Sequence, residues 1–146
     1  MTVEPEWLAI ARAELGVRET PGEGSTPRVL EYLRETRLPP SMYDDETPWC
    51  SAFACWVMER AGLASPRSAG ARSWLRWGMP LVTPRVGCIV VLSRPSADNP
   101  HSGHVGFWLG KGERGPRVLG GNQGNAVSVR EYAAQRVLGY RLPEVP

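Results

Sequence analysis

The apolar positions of this chain change period about half-way along. Up to residue 78 they recur every three or four residues. Beyond Pro84 they alternate, or run together in short blocks split by Gly and Pro. Over residues 5–15, Trp7, Leu8, Ala11 and Leu15 share one face, with Pro5 near the start and Gly16 as terminator, which predicts a helix. Thr26-Pro27 opens a second, with Val29, Leu30 and Leu33 inward, running to about Thr36 before Pro39-Pro40 stops it. The stretch from Thr47 to Gly62 is apolar nearly all round until Glu59, the mark of a central, covered helix. Either Thr47 caps it with Pro48 as first helical residue, or Trp49 is the last residue outside it. A shorter fourth helix starts at Ser68, continues through Ala69–Trp77 and is closed by Gly78 and Pro80. Five short strands follow: Cys88–Leu92, His104–Leu109, Arg117–Gly120, Ala126–Val129 and Leu138–Arg141, separated by loops such as 94–100 and 111–116. Helices first and strands afterwards is the α+β pattern, with N-terminal helices packed on a C-terminal antiparallel β-sheet.

Composition narrows the class. At 146 residues the expectation is a single domain, 1–146, able to bury a core without metal or disulfide help. The three cysteines are odd in number and unevenly spaced, so they form no disulfide framework. No apolar run reaches membrane-spanning length and no basic-then-apolar leader opens the chain. The expectation is a protein made in the cytoplasm without a signal peptide. The net charge of +2 comes from scattered arginines, too weak and too dispersed for nucleic acid, though favourable toward an anionic polymer. Six tryptophans call for a large aromatic core or a groove with flat apolar walls.

The candidate chemistry begins at Cys50. On either reading of its helix, Cys50 lies in the first turn, where backbone N–H groups lack helical partners and the dipole is positive. A thiol becomes a thiolate most easily there. Cys50 also heads the stripe formed by Phe53, Ala54, Val57 and Ala61, whereas Cys55 and Cys88 read as small buried hydrophobes. The acidic Asp44-Asp45-Glu46 complements the helix dipole, yet carboxylates close to Cys50 would oppose the thiolate. His104 opens a strand on which His104, Gly106 and Trp108 share one face, and Gly106 leaves room for a helix tip or a substrate. An imidazole held at a strand end is a fitting base for a helix-tip thiol, while His101 sits in a loop. The turn Gly120-Gly121-Asn122-Gln123-Gly124-Asn125 carries three amides, and a Cys–His pair needs a group that accepts the imidazole N–H. Asn122 follows the strand most directly and is the candidate. Asn125 reads as a turn former, and Gln123 stays open, with an oxyanion donor role among its options. Cysteines and histidines could also suggest zinc, but no C-x-x-C pair is present, and residues 50 and 55 diverge on a helix. No metal or cofactor is expected.

A helix-tip cysteine, a histidine opening a strand and an amide after the next strand resemble the papain-like cysteine amidases and peptidases of bacterial cell-wall turnover, of CHAP or NlpC-like type. The segments Asp44–Phe53, Ala71–Leu75, Ser102–Phe107 and Leu119–Asn125 are similar to those of a compact phage and bacterial subfamily, and the resemblance covers Trp7 to Tyr140. It implies a papain-like fold and a peptidoglycan hydrolase of endolysin kind, amidase or endopeptidase, cutting an amide through an acyl-enzyme. In it Cys50 is nucleophile, His104 base and Asn122 orienting group, with Asp45, Trp49, Ser51 and Gln123 binding substrate or supporting the site. Many CHAP enzymes carry a Glu two residues before the Asn, and that position is Gly120 here. The alternatives are a transamidase and a non-catalytic wall-binding or phage-structural module. The expected partner is peptidoglycan, reached through a holin, a phage tail or a secretion apparatus, with an immunity protein as a further partner and action in the periplasm or outside.

Overall fold

In the computed structural model, residues 3–19, 27–39, 41, 49–94 and 102–144 are described. Asp45, Thr47, Pro48 and His101 lie outside them. Three α-helices come first: α1 (Glu6–Ala13), α2 (Pro27–Leu33) and α3 (Cys50–Arg60). They are followed by β1 (Met79–Leu81), β2 (Ile89–Ser93), β3 (Gly103–Lys111), β4 (Pro116–Gly120), β5 (Ser128–Glu131) and β6 (Val137–Leu142). Short 3-10 helices occupy Ala71–Arg76 and Ala134–Arg136. The six strands form one antiparallel sheet in the order β1-β6-β2-β3-β4-β5. The α+β layout read from the sequence therefore holds.

α3 is the centre of the molecule. Every residue from Cys50 to Met58 is buried, as its all-round apolar sequence requires. Burying a side chain the size of Phe53, Val57 or Met58 contributes about 1.5–3 kcal/mol. Trp49 is the cap residue, without a side-chain capping bond, so the helix starts at Cys50. The far end closes on Gly62, at φ 79°, with Gly62 N–H on Glu59 O and Leu63 N–H on Met58 O. That pair of bonds satisfies terminal carbonyls and lets the chain leave the helix sharply.

The sheet alternates faces as its pattern demands. Ile89 pairs with Phe107 and Val91 with Val105, and all four belong to the core shared with the helices. Val90, Leu92 and Val118 form a second cluster with Trp108, Tyr132, Val137 and Tyr140. Leu15 was expected on the buried face of α1, but the helix ends at Ala13 and Leu15 is exposed. Among the described residues, no helix is long and apolar enough to cross a membrane.

Candidate active site

Cys50 stands at the tip of α3, where the first helical N–H groups are free of intrahelical partners. Its residue is only 2% exposed, yet it lies in a cleft of about 340 Å³ walled by the segment Ser68–Ser73, Arg76, Arg94, Ser102 and Gly103. A larger hollow of about 510 Å³ beside Pro5 and Trp108 has no cysteine, serine or histidine among its described lining residues. The thiol is buried, and burial alone would push its pKa up. The His104 imidazole, through charge and hydrogen bonding, the Val105 backbone N–H and the Arg94 charge outweigh that penalty, so the thiol sits below its ordinary value. Cys55 and Cys88 move the other way: burial raises both, Cys88 to about 11. The three thiols thus separate, one lowered and two raised.

His104 is the second residue of β3, opposite Leu92 of β2, and is buried. Its Nε2 lies 2.8 Å from Gln123 Oε1. The Gln123 Nε2 donates to Val118 O at 3.2 Å and Ser128 O at 2.8 Å, which fixes that end of the amide as the nitrogen. Oε1 can only accept, so His104 Nε2 carries the proton. His104 Nδ1 is buried without a nitrogen or oxygen partner. An imidazole held through Nε2 beside a thiol of lowered pKa is an arrangement suited to nucleophilic catalysis.

The amide hydrogen-bonded to His104 is that of Gln123 rather than the expected Asn122. Asn122 has φ 58° and Asn125 φ 61°, so both residues build the left-handed corners of the turn, a conformation Asn tolerates well. The corner at 122 lets the next residue enter the interior. Gly120 completes the arrangement: a Cβ there would sit 2.7 Å from Gln123 Oε1 and 3.4 Å from His104 Nε2. The glutamine therefore occupies space that a side chain at 120 would fill. A glutamine amid turn-forming Asn and Gly was the one sequence signal for this role.

Of the other expected residues, Asp45 lies outside the described residues, while Trp49 and Ser51 are buried. Trp49 is fully buried, donates from Nε1 to Glu19 Oε2 at 3.2 Å and stacks with Tyr32. Gly121 presses on its ring so closely that a Cβ there would come within 2.8 Å of Trp49. Ser51, also fully buried, donates to Ser68 O at 2.6 Å and accepts from Trp74 Nε1 at 2.9 Å. It pins the cleft wall and does not line the cleft. Gly106 does not leave room for helix tip or substrate, because Val118 Cγ1 and the Leu119 carbonyl of β4 fill the space a side chain would need. Tyr132, which the sequence reading passed over, lies with its ring 5.3 Å from the His104 ring. Among the described residues, no group of three His, Cys, Asp or Glu could hold a metal ion.

Residues 42–136 match the model of the CHAP domain, a span that takes in Cys50, His104 and Gln123. The chain belongs to the CHAP family. Its fold is also that of NlpC/P60 proteins. It is similar to NlpC1 from Trichomonas vaginalis at 17% identity and TM-score 0.56, covering 96% of this chain and 45% of that one. It is likewise similar to an NLP/P60-family protein of Staphylococcus aureus, "similar to lipoprotein", at 16% identity and TM-score 0.57, covering 98% and 44%. This chain spans a little under half the length of both structures. Among curated proteins, no sequence matches it. The CHAP family connects the chain with peptidoglycan-related amidases and peptidases.

Proposed function

We propose that this CHAP protein is a peptidoglycan hydrolase that cuts an amide bond through a thioester acyl-enzyme. The observation that carries the reading is the pairing of a thiol of lowered pKa at the tip of α3 with an imidazole whose Nε2–H is held by Gln123. In the first step the Cys50 proton passes to His104 Nδ1, and the thiolate attacks the carbonyl carbon. The oxyanion forms beside the start of α3, where backbone N–H groups such as that of Cys50 stabilise it. His104 gives its proton to the amine nitrogen as the C–N bond breaks. Water then attacks the thioester while His104 takes its proton, the C–S bond breaks, and the thiol is restored.

Lysis of purified sacculi, followed by turbidity and by mass analysis of the released fragments, tests the reading. Cys50→Ala and His104→Ala should each lower the rate by about a thousandfold or more. The fragments name the bond, and a transamidase would instead yield products joined to an added amine. Full lysis by both variants would sink the mechanism.

A further inference from the structure

The described lining of the cleft that opens on Cys50 is basic. Arg72 and Arg76 come from the 3-10 helix Ala71–Arg76, Arg94 follows β2, and all three line it. Its other described polar lining consists of serines, and none of the described lining residues is a carboxylate. Elsewhere Arg12, Arg28, Arg67 and Arg114 each meet a glutamate. Arg76 and Arg94 have no such partner among the described residues. Arg72 is fixed in place: its Nε donates to Ser102 O at 3.1 Å, and its Cγ lies where a Cβ on Gly103 would come within 3.2 Å. The absence of a side chain at Gly103 thus lets a guanidinium stem lie across the start of β3, next to His104. The charge of Arg94 is felt at both Cys50 and Tyr132. Like charges gathered in a cleft repel, and low-dielectric walls strengthen the field they make, so such a cleft is relieved by an anion.

We propose that this cleft is a carboxylate subsite, and that the substrate is an anionic peptide with a free carboxylate a few bonds from the amide that Cys50 attacks. The inference rests on the reading of Cys50 as nucleophile. Planar guanidinium groups suit a carboxylate because two N–H groups can meet its two oxygens. The same peptide with that carboxylate converted to a neutral carboxamide should be a poorer substrate.

The test uses two alkylating reagents that differ in charge, so it does not depend on hydrolysis. The rate of Cys50 modification by iodoacetate and by iodoacetamide is followed by intact mass, with peptide mapping to assign the site. In the native protein iodoacetate should react about tenfold faster than iodoacetamide at low salt, and its rate should saturate with concentration. Arg76→Gln combined with Arg94→Gln should abolish the saturation and bring the rate ratio to one or below. A native ratio at or below one, or an excess that never saturates and vanishes with salt, would leave only a diffuse field and overturn the subsite. Failure of Cys50 to react with either reagent would instead overturn the nucleophile on which the subsite rests.

Discussion

At the residue scale, one carboxamide holds the imidazole in place. Gln123 is 3% exposed, accepts from His104 and donates to two carbonyls, so none of its polar atoms is left idle. Replacing it by Ala removes the acceptor that holds His104 and leaves two carbonyls without their donor, at a cost of about 1–3 kcal/mol. Gln123→Ala should therefore lower kcat about 10- to 100-fold with KM nearly unchanged, and move the urea midpoint down. Gln123→Asn, one methylene shorter, should recover only part of kcat. An unchanged kcat for Gln123→Ala would remove it from the site. Cys50 and His104 were legible because each residue type sits at an element end that suits its chemistry. The choice between adjacent amides was not, because it depends on backbone angles at 122 and on the bare Cα of Gly120, neither of which a linear pattern encodes.

At the element scale, the apolar run of α3 announced a buried helix, and the antiparallel strands followed from alternation. The wall facing Cys50 was harder to read. Ala71–Arg76 is a 3-10 helix rather than an α-helix, and β1 is the three-residue edge strand Met79-Pro80-Leu81, whose proline reads as a terminator. Proline is tolerated at a sheet edge, where its missing N–H breaks no ladder bond. What ties this wall to α3 is Ser51, through Ser68 O and Trp74 Nε1. Ser51→Ala leaves both groups short of a partner in a dry interior, and a destabilisation of about 1–3 kcal/mol is expected by urea unfolding. Because the wall lines the cleft, KM should rise by a larger factor than kcat falls. Wild-type stability and kinetics in this variant would show that the wall stands without the pin.

At the scale of the whole molecule, the buried thiols make stability depend on alkalinity. Burial pushes the Cys88 thiol up to about 11, and an unfolded thiol titrates near about 8.5. Since the folded value is the higher one, this contribution is whole below about 8.5 and is lost as pH rises toward about 11. Unfolding free energy should fall through that window. Cys88→Ala should flatten the slope by about one proton, roughly 1.4 kcal/mol per pH unit. Urea titrations at several pH values read this directly, and equal slopes would contradict it. The acid side follows a different logic, set by the chemistry of Gln123. A carboxamide neither gains nor loses a proton in the range where proteins work, so the clamp on the imidazole is indifferent to acidity. An aspartate or glutamate in that role would add an ionisation of its own at about pH 4, which a carboxamide does not.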